Sequence, residues 1–332
     1  MKKIVHIVNP NGLGHLRRSI FIWNNVNINK FSVKLFIDQS QNKYLSFFKP
    51  KPFISIEIMD FKGMITLSNI KNKDFTLHYF NLHERFNNSI NFKEVDLLIS
   101  DNTLFDFNKF CNNYLVFGSF LWYDIVKNNT SLSEVILNEK KILETNLPEI
   151  YGIKNFISES LKEYNFLHEI GWLVHQKKKL NRINPKSGIL FSGGLGNMSI
   201  SYINLILEKL RESSIDFDIY SSINYKFIKN SIHFDFDKDW GKIDYVIARP
   251  GLGTISDCIE NNLPIIAIGE TNNPEIVSNA RFISECNIGF DYVNKHFDNE
   301  FLSKSENINY DSLSLNGLDE ICNVIINKLN YD

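Results

Sequence analysis

No apolar run in the 332 residues approaches the roughly 18 that a membrane-spanning helix needs; candidates such as Leu263–Ile268 have the length of a strand. A basic excess is missing too. Lys+Arg 36 against Asp+Glu 38 leave a formal net charge of −2, so a nucleic acid, whose phosphates must be neutralised, is not an expected partner. Cysteine is scarce, and Cys111, Cys258, Cys286 and Cys322 form no C-x-x-C pair and no Cys/His cluster. That excludes a zinc site or a disulfide framework and fits buried or half-buried thiols in a reducing compartment. A signal peptide is absent as well: the apolar stretch Ile4–Val8 is too short, and Asn9-Pro10-Asn11-Gly12 breaks it. A cytoplasmic protein is expected. Arginines are few in a chain rich in Lys, Asn, Ile and Phe, so each arginine reads as a residue kept for its geometry.

What is present is ordinary globular material. Hydrophobic residues at 43% and charged residues at 22% exclude disordered and fibrous classes. At roughly 150 residues per domain the length fits two domains. Lys3–Val8 reads as a buried strand, followed by a glycine turn and a helix over Leu16–Val26. Ser32–Asp38, Val95–Ser100 and Tyr114–Gly118 are further strands. The pattern restarts with a strand at Gly188–Phe191, a glycine-rich turn and a helix at Ile200–Glu212. Strands at Phe217–Tyr220, Tyr245–Ala248 and Pro264–Ile268 follow, with a helix at Thr254–Glu260. Two successive sets of alternating strands and helices predict two parallel-sheet α/β domains. The polar, Pro-containing stretch Val174–Ser187 marks their boundary, giving domains at 1–174 and 175–314. Its run Lys177-Lys178-Lys179 is either a solvated linker face or a phosphate contact. Residues 315–332 carry a final amphipathic helix with apolar positions from Leu315 to Leu329.

The first glycine turn holds Gly12, Gly14, His15 and Arg18. Glycines after a strand let a ligand approach a helix N-terminus closely. The dinucleotide fingerprint fails, however, because Arg17 stands where its third glycine would fall. His15 at the mouth of the turn is either a general base or a residue that caps the helix or binds a carbonyl. Asp101 ends a strand where ligands of such sheets collect, and can either orient His15 or cap a helix.

In the second half, Gly193 and Gly194 sit in a turn suited to a diphosphate. Arg249, Gly251, Gly253 and Thr254 form another, with N–H groups for phosphates, and Asp257 follows as a ligand for both ribose hydroxyls. Downstream, Asn272-Asn273-Pro274-Glu275 opens a helix that carries Asn279-Ala280. Trp122, in an aromatic segment, either stacks on a sugar or belongs to the core.

Together these segments resemble the GT-B glycosyltransferases, in particular the branch holding the peptidoglycan transferase MurG and the UDP-glycosyltransferases. Arg249, Gly251, Thr254 and Asp257 match the family's R-x-G-x-x-T-x-x-E, with Asp for Glu; Asn262-Leu263-Pro264 matches G-L-P, with Asn for Gly. Glu275 and Asn279-Ala280 fall where the family has Gln-x-x-x-Asn-Ala. The resemblance implies two Rossmann-like domains facing across a cleft, with the last helix packing back toward the first. The N-terminal domain would bind the acceptor and the C-terminal one the nucleotide sugar. It further implies Asp257 on the ribose, the glycine turns on the diphosphate, Glu275 and Asn279 on the donor side, and the backbone near Phe236 on the base. His15 with Asp101 would deprotonate the acceptor, with Gly12, Gly14, Arg18 and Trp122 on the acceptor side. No metal and no cofactor is implied, UDP being the expected nucleotide; Asp235-Phe236-Asp237 imitates a metal-binding D-x-D in a domain that needs none.

The expected function is therefore transfer of a hexose from a nucleotide sugar to a hydroxyl of a glycan or lipid-linked glycan in bacterial surface polysaccharide synthesis. Peripheral contact with the inner face of the membrane stays open. The alternatives are the nucleotide-sugar hydrolase of pseudaminic acid synthesis, whose G-x-G-H-x-x-R turn is similar, and a non-catalytic nucleotide-sugar-binding protein. Asp257 and Glu275 depart from the family pattern and leave the donor open beyond UDP-GlcNAc. Donor sugar, acceptor, stereochemistry and oligomeric state are not read from the sequence.

Overall fold

The computed structural model describes residues 1–27, 31–66, 68–107, 113–126, 128–175, 187–192, 200–212, 216–221, 228, 230–236, 238–269, 271, 273–295 and 308–330. Cys111, Lys177, Lys178, Lys179, Gly193, Gly194 and Asp237 lie outside the described residues. The chain divides into two units, Met1–Leu173 with Asn316–Asp332, and Val174–Leu315.

The first unit is built on β1 (Lys2–Ile7), β2 (Phe31–Asp38), β3 (Ile54–Met59), β4 (Leu97–Asp101), β5 (Tyr114–Phe117), β6 (Glu149–Ile153) and β7 (Leu167–Ile170). They pair in the order β3-β2-β1-β4-β5-β6-β7, all parallel. A sheet covered on both faces needs apolar residues at odd and even positions alike, and β1 has them. Its Ile4 packs with Leu16, Ile20 and Trp23 of α1 (Leu13–Asn25), whereas Val5 and Ile7 join Phe36, Phe86 and Phe105 on the opposite face. The heavy phenylalanine content collects on that second face, where Phe105 stacks on Phe107 with ring centroids 4.7 Å apart. Helices α2 (Gln39–Asn42) and α3 (Leu45–Phe48) are single turns, followed by α4 (Phe75–Ser89), α5 (Trp122–Val126), α6 (Ser133–Asn146) and α7 (Glu159–Lys162).

The second unit repeats the plan with β8 (Ser187–Ser192), β9 (Phe217–Ser221), β10 (Ile232–His233), β11 (Tyr245–Ala248), β12 (Ile265–Ala267) and β13 (Gly289–Asp291). Their order is β10-β9-β8-β11-β12-β13, again parallel. Its helices are α8 (Ile200–Glu212), α9 (Leu252–Asn261) and α10 (Pro274–Glu285). In each sheet the strand order reverses direction beside the first strand, and the carboxyl ends there are where ligands of such sheets bind.

The last helix, α11 (Gly317–Asn330), belongs to the first unit. Leu318, Ile321, Ile325 and Leu329 enter the same cluster as Ile4, Trp23 and Val33. Gly171 N–H donates to Glu320 Oε2 at 2.8 Å, and Lys328 Nζ donates to Glu149 Oε1 at 2.5 Å. No helix among the described residues is long and apolar enough to cross a membrane.

Candidate active site

The loop after β1 is held rigidly by side chains from three elements. Asn9 is fully buried; its Nδ2 donates to Thr103 Oγ1 at 3.1 Å and its Oδ1 accepts from Asn11 N–H at 2.8 Å. Gln41 Nε2 donates to the carbonyls of Asn9 and Gly12, at 3.0 and 3.3 Å. Gly12 adopts φ 84°, which an L side chain rarely takes, and from it α1 begins at Leu13. The helix thus opens three residues before Leu16, the expected start, because Gly12 supplies the turn and leaves Gly14 and His15 helical. No side chain caps this N-terminus.

That start puts His15 in the first turn of α1, against the end of β4. His15 Nδ1 lies 3.0 Å from Asp101 Oδ2, although the two are 86 residues apart. The Asp101 carboxylate is completely buried and His15 is 16% exposed. Arg18, one turn along, donates from Nη2 to Asp101 Oδ1 and places the same nitrogen 3.2 Å from His15 Nδ1. Burial alone would raise the Asp101 carboxyl, but the Arg18 cation, with His15 and His6 adding to it, brings it down to about 2. An ionised Asp101 accepts the Nδ1–H of His15, which leaves Nε2 with its lone pair free to take a proton. Histidine base, buried orienting carboxylate and helix N-terminus are therefore assembled on one sheet edge.

Behind them lies a network that the sequence did not announce. Trp23 Nε1–H donates to His6 Nδ1 at 2.9 Å, so the ring proton of His6 sits on Nε2 and points to Ser19 Oγ at 3.3 Å. Ser19 in turn donates to the His15 carbonyl at 3.0 Å. Burial pushes His6 down to about 4, so it stays neutral and serves as a strut that ties α1 to β1. A histidine and a serine alternating with apolar residues on a strand and a helix were the available signal.

Trp122 is not where a sugar can stack on it. It is 2% exposed and packs with Phe75, Tyr79, Val126 and Val135, because the short helix α5 turns it into the core.

In the second unit the turn after β11 is described in full. Gly251 is the N-cap of α9 and no side chain caps that helix, so the N–H groups of Leu252, Gly253 and Thr254 are presented at its start. Arg249 precedes them, half-buried. Since the helix begins at Leu252 rather than Thr254, Asp257 falls in the second turn, not the first, and is 6% exposed. Asn279 is 3% exposed, and its Nδ2 donates to the Pro250 carbonyl at 2.8 Å. It thus fixes the turn between Arg249 and Gly251. Glu275, half-buried, stands in the first turn of α10, where Asn273 caps its N–H at 3.1 Å. Phe236 is 43% exposed and meets Phe234 and Trp240 edge-on. Asp235 pairs with Lys238 at 3.2 Å. No group of three His, Cys, Asp or Glu among the described residues is arranged to hold a metal ion.

Compared by sequence, the chain matches no family model and no curated protein. Compared by structure, it is similar to the glycosyltransferase of kitacinnamycin, with a TM-score of 0.66 at 12% identity over 99% of both chains. It is also similar to UGT89C1 of Arabidopsis thaliana complexed with UDP-L-rhamnose, with a TM-score of 0.64 at 11% identity over 99% of this chain and 95% of that one. Acinetobacter baumannii MurG aligns with a TM-score of 0.60 at 10% identity over 98% and 100%. The fold is that of the GT-B glycosyltransferases, two parallel-sheet α/β units.

Proposed function

We propose that the chain is a glycosyltransferase that moves a hexose from a nucleotide sugar, UDP being the nucleotide favoured, to a hydroxyl of a glycan or lipid-linked glycan of the bacterial surface. The observation that carries this reading is the His15–Asp101 pair at the switch point of the first sheet. In an inverting transfer, His15 Nε2 takes the acceptor proton as that oxygen bonds to the anomeric carbon. The bond from that carbon to the diphosphate breaks, and its electron pair leaves with the diphosphate. Asp101 holds the imidazole and stabilises the imidazolium that forms. The second unit binds the donor: N–H groups at the start of α9 and Arg249 take the diphosphate, Asp257 the ribose, the backbone near Phe236 the base, and Glu275 the sugar. Asn279 acts through the turn it fixes. Neither a metal nor a cofactor has a part in this scheme, and a lipid-linked acceptor would bring peripheral contact with the inner face of the membrane.

One observation favours a second reading. Arg18 completes the G-x-G-H-x-x-R turn and touches both Asp101 and His15, which fits a hydrolase that delivers water instead of an acceptor. Incubation with UDP-, GDP-, TDP- and CMP-sugars separates the readings. Nucleotide release that requires a glycan acceptor supports transfer, release in water alone supports hydrolysis, and binding without release removes both.

A further inference from the structure

Asn102, directly after Asp101, is held in a costly state. Its backbone is left-handed, φ 53°, its side chain is 5% exposed, and neither Oδ1 nor Nδ2 has a hydrogen-bond partner. Burying a polar group unpaired costs on the order of 1–3 kcal/mol. Gly118, at the end of β5, makes room for it: a Cβ there would sit 2.5 Å from Asn102 Oδ1. Asn102 and Gly118 line a pocket of about 220 Å³, solvent at its mouth included, together with Trp122, Glu139, Leu121 and Ile150.

Two further polar groups reach that pocket. The indole Nε1 of Trp122, 2% exposed, is buried without a partner. Glu139, 1% exposed, accepts from Tyr79 at 3.2 Å, and burial pushes its carboxyl up to about 8, which keeps it a neutral acid at pH 7. Amide, indole N–H and carboxylic acid thus meet among apolar walls, and none of them carries charge. A carboxylate or an ammonium entering here loses its hydration and gains no counter-ion. A methyl group leaves the amide and the indole unpaired. A hydroxyl satisfies them, its oxygen accepting from Asn102 Nδ2 or Trp122 Nε1 and its proton going to Asn102 Oδ1.

We infer that this pocket is a subsite for a neutral hydroxyl or hydroxymethyl arm of the acceptor sugar, one residue from the carboxylate that orients His15. The inference rests on the transferase reading for its word acceptor, but the pocket's selectivity can be read without turnover. The full chain, labelled with nitrogen-15, is titrated with methyl glucoside, galactoside, mannoside and N-acetylglucosaminide, and with the matching 6-deoxy and uronate glycosides. The indole N–H resonance of Trp122, assigned with W122F, is followed. At least one hydroxymethyl-bearing glycoside is expected to shift it saturably, with its 6-deoxy and uronate forms weaker by roughly tenfold or more. N102G, which keeps the left-handed backbone and removes the amide, is expected to abolish the shift while the protein stays folded by circular dichroism. No saturable shift with any glycoside, equal shifts for hydroxymethyl and 6-deoxy forms, or an unchanged shift in N102G overturns the subsite. Calorimetry of the same protein with UDP, GDP and TDP reads the other proposal separately. Nucleotide binding without an indole shift removes the pocket alone, and an indole shift without nucleotide binding removes the transferase reading alone.

Discussion

Asp101 answers to two partners at once, a histidine that needs a fixed tautomer and an arginine that needs a counter-ion. Because the carboxylate is fully buried, neither role passes to water. D101N is expected to lower turnover on the order of 10²–10⁴-fold, close to the loss from H15A. The double variant should be scarcely worse than either, since the two act as a unit. D101N should also destabilise the fold on the order of 3 kcal/mol, because Arg18 keeps its charge and loses its acceptor; turnover and urea midpoints on the same preparations test both. Glu139 makes the opposite case, a carboxyl raised from 4.5 to about 8 by burial. The folded state holds that proton more tightly than the unfolded chain. Its contribution is therefore complete below about pH 4.5, falls as pH rises towards 8 and is flat above, at most about 1.4 kcal/mol per pH unit. E139Q should lack this decline. The difference in urea stability between E139Q and the parent, taken at pH 5 to 8, isolates it from His6 and His83, which titrate in both proteins.

Helix starts set the geometry of both candidate sites, and they respond differently to small substitutions. Alanine at Gly12 meets no atom within 4 Å but must adopt φ 84°, so G12A isolates backbone strain. It should cost roughly 1–2 kcal/mol and, by turning the first residues of α1, slow turnover through His15. Gly14 is also open but already helical, and G14A should raise stability by roughly 0.5–1 kcal/mol in the same urea assay. At α9, N279A removes the bond to the Pro250 carbonyl and should weaken nucleotide binding about tenfold by calorimetry, with little loss of overall stability. How far such elements were legible follows from their surroundings. Strand β11 and helix α8 carry unbroken apolar patterns, and their bounds come straight from the sequence. Strands β7 and β10 lie at sheet edges with exposed residues, so neither alternation nor an apolar run marks them. His15 and Asp101 were legible as residue types after strands. Asn102, Glu139 and His6 were not, because a buried polar side chain takes its meaning from neighbours that only the tertiary fold supplies.

At the scale of the whole chain, the first unit is not one continuous segment. It runs from Met1 to Leu173 and is completed by Asn316–Asp332, after the chain has built all of the second unit. Four apolar side chains of α11 close the cluster beneath β1 and α1. At roughly 1.5–3 kcal/mol for each buried side chain, they contribute an amount comparable to the whole stability of a typical domain. Alanine at Gly317 would drive a Cβ into the Gly171 carbonyl, so even the helix's first residue is fitted to its seat. The return of the chain therefore makes the His15–Asp101 site dependent on the last residues synthesised. A chain ending at residue 315 should leave the first unit aggregated or molten, with no turnover. Residues 174–315 expressed alone should fold and keep their nucleotide affinity, since their core cluster is self-contained. Supplying residues 316–332 as a separate peptide should restore native near-ultraviolet dichroism to the truncated chain. A truncated protein that unfolds at the same urea midpoint as the full chain would mean that α11 only covers the first unit and does not complete it.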